Sequence, residues 1–503
     1  MQIAGLRHFR AAKFSLPLQP ERHTQIMNQI DKTKDLESKK ISDLLWTYAL
    51  PAVISQIIAS VYNIVDRIFI GQGVGAMAIA GLAITFPIMN VIHAFGSLVG
   101  AGSSARLSIV LGRKDIDWAE KIVGNSMILT IVLGIGFCTC GYLFIDDILQ
   151  IFGATATTIG YARDYMLIVL PGMFMTTLTF NLTGLMRASG YPVKAMWIMI
   201  AGAILNVILD PIFIFVFDWG IAGAAWATTI SMTIGGIASL CHFISKKSFI
   251  RFRRHAWRPR LYIIRNITLI GISPFSMNLA SAGVVALLNS QLIRYGGDLA
   301  VGAYGVVNSY AGLLFLLIMG ICQGMQPIAG YNYGAGKNER LKEVVSLTMR
   351  VTVALGCLGT LISMLLPDFM ARLFSHDEEL IRLAVPAMRY MMAMLPVIAF
   401  TVTVSNFFQS IDKPGISIAV SLSRQIIFLI PMMFIVPGIF VAIGWQGLNG
   451  IWASCTICDF LGGVLAAIFL YAQRKVFLPS YKAPEKKPAQ EMGPNGMQTQ
   501  ANN

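Results

Sequence analysis

The sequence predicts an all-α integral membrane protein whose twelve transmembrane helices form two parallel six-helix bundles. Of the 503 residues, 55% are hydrophobic and 13% are charged, and the mean hydropathy is +0.66. A soluble domain carries about 25% charged residues. Apolar runs near the roughly 20 residues needed to cross a bilayer recur throughout residues 42–473. They are continuous rather than alternating, which indicates helices. In addition, the second half of the chain repeats features of the first.

Each apolar run is interpreted as one membrane span. The predicted spans are 42–70, 76–105, 117–145, 160–188, 193–217, 219–245, 263–294, 299–328, 341–366, 382–410, 415–437 and 447–473.

Basic residues alternate from one connection to the next, which predicts the orientation in the membrane. The 246–265 loop contains eight Lys or Arg residues, and the loops at 106–121, 187–194 and 337–350 are also basic, as are both tails. The connections without Lys or Arg are 71–75, 146–159, 218 and 438–446. The positive-inside rule therefore predicts a multi-pass protein of the cytoplasmic membrane with both termini in the cytoplasm. The 246–265 loop is interpreted as a topology anchor, with binding of lipid head groups as the alternative.

These spans and loops divide the chain into five predicted parts. They are a polar cytoplasmic tail over 1–41 that we expect to be disordered, an N-terminal bundle over 42–245, a basic cytoplasmic loop over 246–262, a C-terminal bundle over 263–474 and a disordered cytoplasmic tail over 475–503. The segment that begins at Met27 is a more ordinary N-terminal approach to the first span, so we expect translation to start at Met27 rather than at Met1.

The two halves repeat each other at a nearly constant offset. The pairs Tyr165/Tyr390, Pro171/Pro396, Asn181/Asn406 and Gly190/Gly415 are each 225 residues apart, and Gly102/Gly324 and Gly112/Gly334 are 222 apart. Each repeat holds an even number of spans, so both enter the membrane in the same orientation. Parallel repeats are typical of transporters that bind substrate near the repeat interface. A channel or receptor can also be duplicated, so the repeat favours transport without establishing it.

Several other function classes lack support in the sequence. The net charge of +14 resides in loops, as membrane topology requires, and does not indicate nucleic-acid binding. The CxxC at Cys455 and Cys458 lies within a predicted membrane helix without His neighbours, so we predict no metal or redox site there. The glycine-rich stretch at 100–105 matches a dinucleotide-binding loop only by letter, since it follows a membrane helix and not a strand. The stretch at 330–338 resembles a phosphate loop but has one residue too many between its glycines and has Asn338 after the lysine. We predict no enzyme activity, no catalytic residues, no nucleotide and no organic cofactor.

Polar residues inside the spans are the main functional candidates, because a charge in the bilayer is costly unless paired or hydrated. Asp66, Asn206, Asp210 and Thr228 lie at similar depth in the outer half of spans one, five and six. Asn206 and Asp210 share one helical face, and Pro211 frees a backbone carbonyl beside them. Such oxygens suit a hard cation, and two adjacent carboxylates also suit a proton because both cannot ionise easily. The alternative is that Asp66 caps a helix and Asp210 is merely buried and hydrogen-bonded.

The second half lacks these acids and has its own membrane charges. Asn289 and Ile435 occupy the positions equivalent to Asp66 and Asp210, so coupling chemistry is predicted in the first bundle only. Arg424 in span eleven and Asp459 in span twelve have matching depth, which predicts an intramembrane ion pair. A role for this pair in substrate or proton movement is the alternative.

Five motifs in this order resemble a known family over about residues 42–473. They are "YNIVDRIFIG" (62–71), "LMRASGYPVKAM" (185–196), "NVILDP" (206–211), "GIAGAAWATTIS" (220–231) and "QGMQPIAGYNYGAG" (323–336). The chain resembles the multidrug and toxic compound extrusion (MATE) transporters of prokaryotic type.

The resemblance implies two V-shaped bundles around a large central cavity and a Na⁺ or H⁺ cluster at Asp66, Asn206, Asp210 and Thr228. Some members use acids in spans seven and ten instead, and this chain has none at the equivalent positions. Asp459 departs from the family pattern.

The predicted function is therefore a cation-coupled antiporter, driven by H⁺ or Na⁺, that exports amphipathic, often cationic, organic compounds. Tyr62, Asn181 and the Met-rich tenth span are the predicted substrate-cavity residues. Expected partners are small organic molecules and membrane lipids, with no nucleic acid, and the working unit is expected to be a monomer. A flippase for lipid-linked saccharides is the alternative transporter, and a row of basic cavity residues would favour it. A membrane enzyme or receptor would need a catalytic group or a sensor domain, and the sequence shows neither.

Overall fold

The computed structural model describes residues 35–245, 248–481 and 484. Within these ranges the chain is helical and contains no strand. The start predicted at Met27 and most of both predicted tails lie outside the described residues. In the described parts of the tails the prediction of disorder is wrong, because Leu36 is fully buried and Val476 is buried within the short helix Arg474–Phe477.

The membrane-spanning part consists of twelve helical passes, α1 to α12. They are α1 Ile41–Gly73, α2 Ala76–Gly112, α3 Ile116–Leu143, α4 Ile159–Ala188, α5 Pro192–Val216, α6 Gly220–Ile244, α7 261–296, α8 298–334, α9 Asn338–Leu365, α10 Glu378–Met392 with Leu395–Ser410, α11 Pro414–Ala442 and α12 Gly447–Ala472. Short helices Ile145–Ile151 and Pro367–Arg372 precede α4 and α10.

Two of these passes are joined without a loop. The helical stretch Leu261–Gly334 has 74 residues, or about 110 Å at ~1.5 Å per residue, far more than the roughly 30 Å of one hydrocarbon layer. It breaks at Gly297, whose φ of 69° and ψ of −168° lie in a region that is essentially open only to glycine. We therefore assign two passes, α7 and α8, where the sequence predicted a connection of four residues. In α10, the two helical pieces meet at an angle of 47°.

The passes form two bundles, as predicted. One buried apolar cluster draws only on the first half, with Ile70, Tyr165, Val169, Ile214 and Ala225 among its members. A second draws only on the second half, from Val284 to Cys458. A third cluster contains residues of both halves. Each bundle thus has its own core, and a shared core joins them.

The halves meet at what we call the closed end, which carries Gly112 and Gly334. A side chain at Gly112 in α2 would overlap the carbonyl oxygen of Tyr331 in α8. A side chain at Gly334 in α8 would overlap the carbonyl oxygen of Ile109 in α2. The two contacts are equivalent under the internal repeat, so α2 and α8 cross backbone to backbone about a local two-fold axis. Only glycine permits this approach.

Ion pairs, one of them buried, reinforce the closed end. Arg106 Nη1 of α2 lies 2.9 Å from Asp412 Oδ2 of the α10–α11 turn, with the side chains only 3% and 8% exposed. Glu37 accepts from Lys337 Nζ at 2.9 Å and lies 3.5 Å from Lys114 Nζ. The hydrogen bond from Lys337 lowers the pKa of the Glu37 carboxyl. The closed end is therefore held by ion pairs across the halves as well as by packing.

The described part of the basic loop docks on the first bundle. Arg253 Nε lies 2.6 Å from the buried Glu120 carboxylate of α3. Asn125 donates to the carbonyl of Arg258 and accepts from the backbone N–H of Arg260. These contacts fix the path by which the chain crosses from one bundle to the other.

Candidate ion-coupling site and cavity

The local structure of α5 follows from its two prolines. Pro192 stands in the first turn, where its missing N–H costs nothing. The α-helix ends at Pro211 and continues as a π-helix over Ile212–Val216, as expected where proline removes a helical donor. Asn206 and Asp210 lie just before this change and are both buried. Departures of this kind from α-helical geometry are frequent at functional sites.

The structure brings the four predicted coupling residues together. Asn206 Nδ2 donates to Asp210 Oδ1 and to Thr228 Oγ1, each at 3.3 Å. The carboxyl group of Asp66 lies close enough to that of Asp210 to interact with it directly. Asp66 stands inside α1, which continues to Gly73, so the alternative that it caps a helix does not hold.

Three oxygens of this cluster are buried without a hydrogen-bond donor in the described part of the chain. They are Asp66 Oδ1, Asn206 Oδ1 and Asp210 Oδ2. A buried acceptor without a partner costs about 1–3 kcal/mol, more when charged. A bound cation or a proton would satisfy these atoms, and the Thr228 hydroxyl adds a further neutral oxygen. An all-oxygen set of this kind fits a hard cation such as Na⁺, and the adjacent carboxyls equally fit a proton.

The cluster lies on the wall of a cavity of about 510 Å³. All of its lining residues belong to α1, α2, α4, α5 and α6 of the first bundle. Asp66, Asn206, Thr228 and the predicted Tyr62 line it, while Asp210 lies behind them. Three methionines also face it, Met89, Met199 and Met232, and flexible thioethers suit irregular apolar ligands.

Asn181 does not line the cavity, contrary to its predicted role. It is fully buried, where its Oδ1 accepts from Ser103 Oγ at 2.7 Å and its Nδ2 donates to Thr130 Oγ1 at 3.0 Å. An amide with its donors and acceptor engaged inside the bundle stabilises packing between α2, α3 and α4. The methionines Met388 and Met392 of the tenth span are likewise buried, in the core of the second bundle.

The cavity has lining residues that the sequence analysis missed. Leu82, Phe86, Met89 and His93 line it from α2, and their spacing of four, three and four residues places them on one helical face. This helical spacing is the sequence pattern from which these cavity residues could have been predicted. Arg67, next to Asp66, also lines the cavity.

The predicted pairing of Arg424 and Asp459 is present in the second bundle. Arg424 Nη1 of α11 lies 2.6 Å from Asp459 Oδ1 of α12, with side chains 22% and 5% exposed. Arg424 belongs to a π-helical stretch, Ser423–Leu429. Neither residue lines the described cavity. The geometry favours a structural pair that joins two neighbouring spans.

We expect Asp459→Asn to destabilise the protein without uncoupling it. The change leaves the Arg424 guanidinium largely buried without its counter-charge, which should cost about 1–3 kcal/mol. The double variant Arg424→Met/Asp459→Leu should recover most of that loss, since removing both charges is often neutral. Thermal unfolding in detergent measures the first effect, and dye efflux from cells measures coupling. A stable Asp459→Asn protein with lost gradient dependence would instead give the pair a role in transport.

The second bundle holds no counterpart of the acid cluster at the equivalent positions. Asn289 has a buried Oδ1 without a partner in the described residues, but an amide does not gain or lose a proton. Ile435 is 52% exposed. The described structure thus agrees with a single acid site in the first half.

Comparisons with known proteins identify the family. The MatE family model matches residues 51–212 and 275–435, so its unit occurs once in each half. The chain is 27% identical over 438 residues to multidrug export protein MepA of Staphylococcus haemolyticus, covering 87% of this chain and 95% of the relative. It is 27% identical over 441 residues to MepA of Staphylococcus aureus, with the same coverage.

Solved structures share the fold. One described as the outward-facing conformation of a multidrug resistance MATE family transporter of the MOP superfamily has a TM-score of 0.80 at 23% identity. It covers 88% of this chain and 97% of that one. Fold, repeat and family model agree, and this chain belongs to the MATE family of multi-pass membrane transporters.

Proposed function

We propose that the chain is a cation-coupled antiporter, driven by H⁺ or Na⁺, that exports amphipathic, often cationic, organic compounds across the cytoplasmic membrane. One observation carries the proposal: a cluster with three buried oxygens without partners adjoins a cavity of about 510 Å³, and two of the three residues that carry them, Asp66 and Asn206, line its wall. A cation and an organic molecule can therefore compete at one place. The names of the staphylococcal relatives, multidrug export proteins, support the substrate class.

Exchange follows from the charge of the cluster. With both termini placed in the cytoplasm, the closed end faces inward and the cavity faces outward. A coupling ion from outside neutralises the carboxylates of Asp66 and Asp210, which weakens their attraction for an organic cation. The ion-bound and drug-bound forms then favour different bundle arrangements, and each ligand shifts the equilibrium only by its differential affinity.

The flippase alternative has less support from the cavity. Recognition of a lipid-linked saccharide, whose linkage carries phosphate, would favour a row of basic side chains. Among the described lining residues, the basic ones are Arg67 and His93. The larger share of the wall is apolar or aromatic, as expected for amphipathic organic ligands.

The test is ethidium efflux from bacteria that lack their own pumps and express the chain. We expect efflux to fall at least about tenfold when the coupling gradient is removed, because the ion gradient then no longer supplies the free energy for export of the dye. Omitting Na⁺ and adding a protonophore, separately and together, identifies the ion. Cells with the empty vector give the background. Efflux that persists with both gradients collapsed would refute ion coupling, and absence of efflux of any organic cation would favour the flippase.

A further inference from the structure

Two arginines at the junction of the basic loop and α7 are exposed and carry a charge that the protein does not neutralise. Arg258 and Arg265 are both exposed, and neither guanidinium has a hydrogen-bond or ion-pair partner in the described part of the chain. Arg253 of the same loop differs, because its Nε lies 2.6 Å from the Glu120 carboxylate. The N–H donors of Arg258 and Arg265 are therefore available to a ligand.

The backbone that carries Arg258 is fixed in place. Asn125 Nδ2 of α3 donates to the carbonyl of Arg258 at 3.3 Å, and its Oδ1 accepts from the N–H of Arg260 at 2.7 Å. Ala256 is fully buried, and a side chain at Gly124 would overlap its carbonyl oxygen. A topology anchor requires only the positive charge of a loop. A docked backbone also fixes the position from which the Arg258 side chain extends.

Apolar side chains are exposed beside the two arginines. Trp257 is 41% exposed, and Leu261, the first residue of α7, is 80% exposed. Leu261 and Arg265 are four residues apart and share one face of α7. Side chains of a helix tilt toward its N-terminus, so Arg265 extends over Leu261 toward the loop. We call Trp257, Arg258, Leu261 and Arg265 the loop corner; it presents positive charge and apolar surface together.

One amphiphilic anion can use all four residues of the loop corner. Three extended residues and about one helical turn separate the Cα atoms of Arg258 and Arg265, at most roughly 16 Å, which two arginine side chains with a phosphate between them can span. Arginine binds phosphate through paired N–H···O bonds. Trp257 and Leu261 offer a surface on which an acyl chain packs. A free phosphate would use only the arginines, and a neutral amphiphile only the apolar pair.

We propose that the loop corner binds an anionic phospholipid: the phosphate lies between the guanidinium groups of Arg258 and Arg265, and an acyl chain follows Leu261 and Trp257 into the bilayer. Under the predicted orientation the corner faces the cytoplasmic leaflet, where basic segments attract anionic lipids. The site lies outside the transport cavity and its ligand is not transported, so it goes beyond the proposed function. Because the loop packs on α3 and leads into α7, the bound lipid contacts the connection between the two bundles.

Native mass spectrometry of the purified full-length protein tests the proposal. The protein is mixed with equal amounts of phosphatidylglycerol, which is anionic, and phosphatidylcholine with the same acyl chains, which has no net charge. We expect wild type to retain phosphatidylglycerol preferentially. Arg258→Gln/Arg265→Gln should weaken phosphatidylglycerol binding roughly tenfold to thirtyfold, since each basic residue near a head group contributes about a fivefold factor. Phosphatidylcholine binding should not change.

The substitutions should leave the loop docked. Arg258 contacts α3 through its backbone carbonyl, which glutamine retains, and thermal unfolding checks that the double variant melts like wild type. Arg265→Gln alone changes a residue outside the docked loop and should still weaken phosphatidylglycerol binding about fivefold.

The matched control is Arg382→Gln/Arg389→Gln. These arginines of α10 are also exposed and also seven residues apart. The control removes the same charge from the opposite end of the spans, so its phosphatidylglycerol binding should equal that of wild type.

Equal loss in the two double variants would reduce the effect to the net charge of the protein and overturn the proposal. Phosphatidylglycerol binding that survives Arg258→Gln/Arg265→Gln would overturn it as well. Glycerol phosphate, a soluble head group without acyl chains, should not displace the bound lipid, and displacement at equal concentration would assign the corner to a free phosphate instead. The assay involves no transport, so failure of the proposed function would leave its outcome unchanged.

Discussion

Asp210→Asn should abolish gradient-driven export while the protein still folds and binds dye. Asparagine has nearly the shape of aspartate and can keep its contact with Asn206, which approaches Asp210 Oδ1 at 3.3 Å. It cannot release a proton, and it removes the charge that holds a cation. Loss of one charged oxygen ligand should weaken ion binding roughly tenfold to hundredfold. We expect the variant to resemble a permanently neutralised site, so the coupling ion no longer shifts the equilibrium between drug-bound and drug-free forms.

Ethidium efflux from pump-deficient cells, with and without an imposed Na⁺ or H⁺ gradient, measures the effect. Asp459→Asn is the matched control, since it changes a buried membrane carboxyl in the other bundle and should preserve the gradient dependence. Gradient-dependent efflux by Asp210→Asn at the wild-type rate would remove Asp210 from the coupling site. If the variant is expressed but exports no dye, dye binding by the detergent-purified protein shows whether it is folded with an intact cavity.

Gly334→Ala and Gly112→Ala should force the closed end apart. In each case the added methyl group would overlap a backbone carbonyl oxygen of the opposite half, and a helix backbone cannot yield as a side chain can. Overpacking of this kind costs about 1–3 kcal/mol, and here the cost falls only on the arrangement in which the halves touch. The equilibrium between closed and open forms of this end should therefore shift roughly fivefold to hundredfold, and efflux should fall because the cycle stalls.

Spin labels at Lys114 and Glu339, which lie at the closed end on opposite halves, report this shift as a longer distance population in double electron–electron resonance. The exposed Cys140, Cys241 and Cys357 must first be replaced. Gly312→Ala is the control, because it lies in α8 with nothing within 4 Å of the added methyl group. A wild-type distance distribution in Gly334→Ala would show that the crossing relaxes without opening.

Most of the fold could be predicted from the sequence because the bilayer restricts a membrane-spanning chain to few structures. Long apolar runs can only be spans, and the constant offset between halves could only mean two similar bundles. The grouping of Asp66, Asn206, Asp210 and Thr228 was also predictable, since depth follows from the rise of the helix and the i, i+4 spacing gives a face. The family and the twelve-helix fold are confirmed, while the coupling role of these residues stays a prediction.

The predictions of cavity residues that failed concerned positions whose surroundings are set by side chains of other helices and not by spacing along one helix. Asn181 has the depth and chemistry of a cavity residue, but its partners Ser103 and Thr130 come from other helices, and no single helix reveals which face its neighbours cover. Arg67 was passed over for a related reason: a basic residue near the end of a span normally indicates topology. Only the position of Phe86 on α2 shows that this arginine faces a ligand cavity.

The single-residue break at Gly297 has a mechanical consequence. Because no loop separates α7 from α8, we expect neither helix to tilt far without moving the other. α7 contacts α2 through Gly271 and Gly102, and α8 contacts α1 and α2 through Gly324 and Gly334. We therefore expect α7 and α8 to move together against the first half. If they do, all of these crossings separate at the same time, and the closed end opens in one concerted step.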